Sequence, residues 1–317
     1  MFPVHTHLRM MADRHRVEVY KKGIFSNVRT GDVVADIGAG SGILSFFALK
    51  AGAGRVYAVE SAPIIETAKK IAAENGLADK IVFINKDSRK TRLPEKVDVI
   101  ITETFGGMGI DEGTIDILAD AGSRFLKPGG KILPERMTLR TVPVFFKSGH
   151  PFKGVGEFFH GLKMKNFLDL AANNYYGLRS NDLENCQPVG NSVNLFTTDF
   201  LDCKPLKFPL NMVSETAFFT KGTYDGMVLY PELVFPGGLS LSLYRRGRFV
   251  PTHWEVVFFP LQNSLRVNDH DSFVFHLTVT GSNGLIWKHE VVRKGKRKIF
   301  AHLSAFGLPS LSRALRA

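Results

Sequence analysis

Short apolar runs alternate with amphipathic stretches over the first 135 residues. Val33-Val34-Ala35-Asp36-Ile37-Gly38 is apolar and ends at glycine, and a helical pattern follows from Ile43 to Lys50. Arg55-Val56-Tyr57-Ala58-Val59-Glu60 repeats the theme and leads into a polar helix that runs to Asn75-Gly76. Ile81-Val82-Phe83-Ile84-Asn85 and Val97-Asp98-Val99-Ile100-Ile101 read as two more buried strands. Strands alternating with helices predict a parallel, doubly wound α/β sheet. Residues 6–25 predict a helix ahead of that sheet.

Beyond Phe125-Leu126-Lys127-Pro128-Gly129-Gly130 the pattern shifts to period two, with β-rich segments at 138–146, 192–200, 215–221, 227–235, 239–245 and 254–259. Segments 273–280 and 285–292 flank Gly281-Ser282-Asn283-Gly284, which predicts a hairpin. This half predicts a β-barrel or sandwich, interrupted by helical pieces over 158–178. There is no internal repeat. The expected domains are therefore 1–136 and 137–317.

With 317 residues, 44% of them hydrophobic and 22% charged, the chain has ample material for a core and is not a disordered polymer. The net charge of +11 first suggests a nucleic-acid binder. Residues 288–317, however, carry eight basic side chains (Lys288, Arg293, Lys294, Lys296, Arg297, Lys298, Arg313, Arg316) against Glu290, a balance of +7 that leaves +4 for the rest. Nucleic-acid binding is thus expected only through the basic C-terminal tail. The run Arg293–Lys298 also fits a solvated hairpin end. Two cysteines, Cys186 and Cys203, exclude a disulfide framework or a four-thiolate zinc site, so no metal is expected. No signal-peptide core or span of ~18 apolar residues is found, which predicts a cytoplasmic protein with no membrane partner.

The first strand runs into Asp36-Ile37-Gly38-Ala39-Gly40-Ser41-Gly42 and then a helix. A dinucleotide fingerprint needs its third glycine at position 43, which is isoleucine. The G-x-G-x-G spacing, with an acid two residues earlier, favours S-adenosylmethionine, which has no pyrophosphate to cradle. Glu60 ends the second strand twenty residues after Gly40, where a carboxylate can accept both ribose hydroxyls. Asp87-Ser88 ends the third strand and could flank the adenine; a helix N-cap is the competing role for Asp87.

At the tip of the fourth strand, the Asn/Asp-Pro-Pro-aromatic turn of adenine-amine methyltransferases is replaced by Thr102-Glu103-Thr104-Phe105. Neither cysteine lies in the α/β half, which excludes cytosine C5 chemistry. Glu103 and Glu112 instead bracket Gly106-Gly107-Met108-Gly109, a loop able to place two carboxylates around one cation. Two acids suit a guanidinium, with its planar fork of donors.

Here the sequence resembles the type I branch of the protein arginine methyltransferase family. Glu103 and Glu112 match the spacing of its double-E loop, Thr252-His253-Trp254 its Thr-His-Trp loop, and His7, Met10-Met11, Asp13, Arg16 and Tyr20 its first helical motif. Resemblance is dense over 7–136 and returns at 252–254. It implies an S-adenosylmethionine-binding Rossmann-like domain followed by a β-barrel domain, with a helical dimerisation arm inserted at about 150–185 and a homodimer. It implies that Arg16 grips the methionine carboxylate with His7 nearby, and that Glu60 takes the ribose. By the same resemblance Glu103 and Glu112 hold the guanidinium, Asp13 and His253 form a proton-accepting pair, and Met10 lines the acceptor pocket with Trp254. Bland roles compete: solvated helix face for Arg16 and Asp13, satisfied barrel histidine for His253, helix-start acid for Glu112, core for Trp254. The chain departs from the family in carrying Thr104-Phe105-Gly106-Gly107 for Trp-Met-Gly-Tyr, and Thr114 two residues after the second glutamate in place of methionine. The family's aromatic segment before the histidine is also missing.

The expected reaction is methyl transfer to a guanidino nitrogen of a protein arginine or a small guanidine such as free arginine. Removing the guanidinium proton beforehand at pH 7 costs more than about 7 kcal/mol, which favours proton loss during or after transfer. A cofactor-binding scaffold with an RNA-associated tail is the non-enzymatic alternative, and the glutamate pair argues against it.

Overall fold

The computed structural model describes residues 4–149, 158–281 and 284–303. The serine–asparagine turn at 282–283, part of the proposed arm (150–157), and Arg313 and Arg316 of the basic tail lie outside these residues. The chain divides into two compact units. The first runs to Met137 and adds Thr198–Pro205 and Glu232–Ser242; the second holds Thr138–Thr197, Leu206–Pro231 and the chain from Leu243 onward.

In the first unit, helices α1 (Val4–Ala12) and α2 (Arg14–Asn27) precede strand β1 (Val33–Ile37). Then follow α3 (Ile43–Lys50), β2 (Arg55–Val59), α4 (Ile65–Glu74), β3 (Ile81–Ile84), β4 (Val97–Thr102), α5 (Thr114–Phe125) and β5 (Leu126–Leu133). The five strands form one parallel sheet in the order β3-β2-β1-β4-β5. Its order reverses beside β1, and the C-terminal ends of β1 and β4 lie side by side with Ile37 opposite Thr102. Ligands of open α/β sheets gather at such a switch point. Apolar runs such as Ile100-Ile101 are fully buried, as strands covered on both faces must be.

Two elements differ from the sequence expectation. The single helix over 6–25 is broken at Asp13, whose non-helical backbone (φ −73°, ψ 87°) and carboxylate cap the start of α2 by accepting the Arg16 N–H at 3.0 Å. The Pro-Gly-Gly stretch hid β5: register shifts between Val97 and Val99, so the irregular Lys127–Gly130 part is accommodated before Lys131, Ile132 and Leu133 pair with β4. The first unit also gathers Phe235, whose ring meets Tyr20 edge-on at 5.0 Å. That ring fills the space beside Gly23, where a Cβ would overlap it.

The β-rich remainder contains a seven-stranded sheet and a four-stranded antiparallel sheet. The larger runs Cys186–Pro188, Arg136–Phe146, Gly222–Val234, Val256–Val267, Tyr176–Leu178, with Val193–Asp199 and Ser240–Ser242 added to its members. The smaller runs Leu210–Ala217, Ser272–Val279, Leu285–Arg293, Lys296–Leu303. The segment expected at 215–221 ends at Ala217, because its pairing with Ser272–Val279 finishes at Ala217–Ser272. Within the second unit Phe259 packs against Phe275 (5.3 Å) and Trp287 (5.2 Å), so residues of both sheets share an aromatic core. The arm region holds a small hairpin, Phe158–Phe159 with Leu162–Lys163, and the helix Lys165–Ala172.

The basic run Arg293–Lys298 is a hairpin end, turning at Lys294 (φ 47°) and Gly295 (φ 72°). Part of its charge is neutralised internally: Arg293 forks onto buried Asp271 (2.7–3.1 Å), and Lys288 and Arg297 flank buried Glu290. No described helix is long and apolar enough to cross a membrane.

Candidate active site

The glycine loop links β1 to α3, and its geometry depends on missing side chains at both ends. Gly38 (φ +75°) and Gly42 (φ +83°) sit in the left-handed region. A Cβ on Gly38 would overlap the Thr104 methyl, and one on Gly42 would come within 2.8 Å of the Phe46 ring. Gly40 (φ +54°) has more room, with the His7 ring 3.4 Å from the position of a Cβ.

Glu60, just past β2, clamps this loop. One carboxylate oxygen accepts the Gly40 N–H (3.0 Å) and the other the Ala62 N–H (2.7 Å), leaving lone pairs on both for further donors such as ribose hydroxyls. Asn85, at the end of β3, donates to the carbonyls of Glu60 (2.8 Å) and Ala62 (3.3 Å) and so fixes the turn that carries the carboxylate. Sequence reasoning missed Asn85, although it directly follows the third strand, beside the Glu60 turn.

Helix α1 meets the same loop, with His7 beside Gly40 and the Met11 thioether 3.9 Å from the Ser41 hydroxyl. Burial lowers the His7 pKa; Glu60 opposes this and Arg16 adds to it, which favours a neutral imidazole. Arg16 is buried at the start of α2, where its guanidinium donates to the Met10 carbonyl (3.0 Å) and to the Glu103 carboxylate. Its Nε is buried with no protein acceptor, so donor capacity is left for an anionic group. A free carboxylate such as that of S-adenosylmethionine suits this donor, and the Glu60 clamp suits its ribose.

Two of the acids expected at the cofactor, Asp36 and Asp87, are engaged within the protein itself. Asp36 is fully buried; one oxygen accepts the Ser45 hydroxyl at 2.6 Å and the other has no partner. Burial pushes it up to about 7 despite the Ser45 hydrogen bonds. It braces the first turn of α3 against β1. Asp87 takes the capping role: it accepts the Arg89 N–H (2.9 Å) and a fork from the Arg89 guanidinium (2.9 and 3.1 Å), which holds its pKa below the ordinary carboxylate range. Neighbouring Ser88 is buried, and its carbonyl accepts Arg124 at 2.8 Å.

Glu103 follows β4 and Glu112 precedes α5, so the glycine-rich loop brings them back to one end of the sheet. Inside the loop the Asp111 carboxylate lies over Gly106, where any Cβ would overlap it, and accepts the Met108 N–H at 3.4 Å. Glu112 is exposed at the end of the loop, yet desolvation by the surrounding protein, together with the charges of Asp111 and Glu103, pushes it up to about 7. An acidic group held near neutrality at the switch point marks a functional site. Phe105 is buried against Phe200 at 5.7 Å.

The structure therefore brings His7, Arg16, Gly40, Glu60 and Glu103 into one connected arrangement, with Glu112 electrostatically coupled to Glu103. Asp13 is the α2 cap described above. Its expected partner His253 belongs to the other unit, where its ring lies 4.9 Å from Trp254. Trp254 is only 6% exposed and packs within its unit. Among the described residues no cluster suits a metal ion.

Residues 20–134 match the family model described as ribosomal protein L11 methyltransferase (PrmA). Histone-arginine methyltransferase CARMER of Anopheles gambiae is 31% identical over 272 residues, which is 81% of this chain and 43% of that protein. Protein arginine N-methyltransferase 6 of Xenopus laevis is 27% identical over 304 residues, covering 88% of this chain and 85% of that protein. The chain spans 43%, 32% and 45% of the first three curated relatives it matches, less than half of each. In structure, a chain of the Trypanosoma brucei PRMT1 enzyme–prozyme heterotetrameric complex with AdoHcy superposes with a TM-score of 0.81 at 22% identity. That match covers 94% of this chain and 97% of the other and shows a shared fold.

Proposed function

We propose that this chain, a relative in both sequence and fold of the protein arginine N-methyltransferases, is itself an S-adenosylmethionine-dependent enzyme that methylates arginine side chains of proteins. The observation that carries the reading is the Glu103–Glu112 loop: two coupled carboxylates set at the switch point beside a glycine loop with an anion-ready arginine. A scaffold protein has no use for that pair.

When bound, S-adenosylmethionine supplies an electrophilic methyl group on sulfur. Glu60 would hold its ribose, Arg16 its carboxylate, and His7 would close over Gly40. Glu103 and Glu112 would accept the N–H donors of the guanidinium and hold one nitrogen in line with the methyl. Glu112 stays partly protonated near neutral pH and becomes fully ionised as the cation binds, which strengthens the pair when it is needed. Asp13 would receive the proton released on transfer, and Met10 would line the acceptor pocket.

Self-association fits the exposed Phe158, Phe159 and Leu162 of the arm hairpin and Phe167 and Leu170 of its helix. The free thiols Cys186 and Cys203 support a reducing, cytoplasmic setting. A methyl-transfer assay with labelled cofactor tests the reading: an arginine-containing peptide should accept label and its lysine counterpart should not. Transfer to free arginine but not to the peptide would overturn the protein-substrate reading.

A further inference from the structure

We propose that Thr104 and Thr114 are positioning residues that clasp the base of the acceptor loop and fix the separation of Glu103 and Glu112; this rests on the reading above. The loop between the glutamates contains Gly106, Gly107 and Gly109, which leave its backbone many conformations to sample. Two carboxylates on so pliant a loop need its ends tied together to present one geometry.

The tie is a chain of hydroxyls. Thr102, the last residue of β4, is fully buried and donates to the Ile37 carbonyl of β1 at 2.8 Å. Its own carbonyl accepts the Tyr20 hydroxyl at 3.1 Å. The Thr104 hydroxyl lies 3.1 Å from that of Thr102 and 3.2 Å from that of Thr114. Thr114, fully buried in the first turn of α5, donates to the Thr104 carbonyl. Thr102 and Thr114 each spend their proton on a carbonyl, so Thr104 has one proton to share between two hydroxyl neighbours. The chain is satisfied without adding charge to a site that already holds three carboxylates.

Thr104 also touches the other side of the site. Its methyl group occupies the space over Gly38 that a Cβ there would take. A single residue thus contacts the cofactor loop and both ends of the acceptor loop, with Glu103 directly before it and Glu112 two residues before its partner. Movement of the acceptor loop away from the cofactor loop has to break this clasp.

Thr114→Val keeps the shape and removes the hydroxyl, leaving the half-buried Thr104 carbonyl without that donor; Thr104→Val keeps the methyl over Gly38. With an arginine peptide, each variant is expected to lower kcat/KM about tenfold or more while S-adenosylhomocysteine affinity stays within about twofold. Thr114→Ser should recover activity to within about threefold of the parent. The double valine variant should be no worse than either single one, since both break one device. Parental kcat/KM in both valine variants would overturn the proposal, as would a serine variant as impaired as Thr114→Val. Loss of cofactor affinity in step with activity would also overturn it. If Thr114→Val does not fold, Thr104→Val carries the test alone. A parent enzyme inactive on every arginine acceptor would instead remove the functional reading itself.

Discussion

The coupling of Glu112 to its neighbours predicts how acceptor affinity depends on pH. Partial desolvation, then the charges of Asp111 and Glu103, place Glu112 at about 7 in the free protein, with Glu103 in turn paired to Arg16. A guanidinium keeps its charge throughout the neutral range, so only the carboxylate titrates. The ionised fraction of Glu112 is about 10% at pH 6 and about 90% at pH 8, and acceptor binding should tighten roughly ninefold between them. Calorimetry with an acetylated, histidine-free arginine peptide in the presence of S-adenosylhomocysteine isolates binding from methyl transfer. At pH 7, buffers of different ionisation enthalpy should reveal about half a proton released per peptide bound. Asp111→Asn keeps an oxygen for the Met108 N–H and removes a charge. It should lower the midpoint by on the order of half to one unit, while desolvation keeps it above the ordinary carboxylate range. A dissociation constant flat from pH 6 to 8, or a midpoint indifferent to Asp111→Asn, refutes the reasoning.

Other expectations follow from the same geometry. Asp36 is raised from 3.8 to about 7, so the folded state holds its proton more tightly than the unfolded chain and stability falls as pH rises between those values. Asp36→Asn should therefore match the parent in thermal melts near pH 4 and exceed it at pH 8, by at most ~4 kcal/mol; an equal difference at both pH values contradicts this. Because Asp36 is buried, the same variant should retain S-adenosylhomocysteine affinity within a few-fold, and a loss of orders of magnitude would restore it as a direct contact. Glu60→Ala should weaken that affinity at least about tenfold in equilibrium titrations, since it removes the loop clamp together with the proposed ribose contact. Leu162→Glu in the exposed arm hairpin should reduce the mass measured by light scattering toward that of a single chain; an unchanged mass counts against the arm as the self-association surface.

Much of the first unit was legible because strands buried on both faces leave uninterrupted apolar runs, as at Ile100-Ile101, and because Gly38, Gly40 and Gly42 punctuate the turn at the switch point. The place of Glu60 beside the glycine loop was readable from spacing alone. What was hidden had nonlocal causes. The break at Asp13 depends on a side chain choosing the Arg16 N–H over helix continuation, which periodicity does not register. Strand β5 carries Pro-Gly-Gly, and only its pairing with β4 makes it a strand. Asp36 and Glu60 both read as acids near a cofactor; burial under Ser45 separates their roles, and burial is a property of the fold. The threonine clasp was equally silent: Thr104 and Thr114 are ten residues apart and meet only once the loop returns.

The most direct test of the account is the intact mass of an arginine-rich peptide after incubation with S-adenosylmethionine and either the parent protein or its Glu103→Gln variant. The parent should add 14-dalton increments that fragmentation places on arginine. The variant should add none while binding the cofactor at least as well, because Arg16 then loses a competing carboxylate. Equal methylation by both proteins, or increments on residues other than arginine, would contradict it.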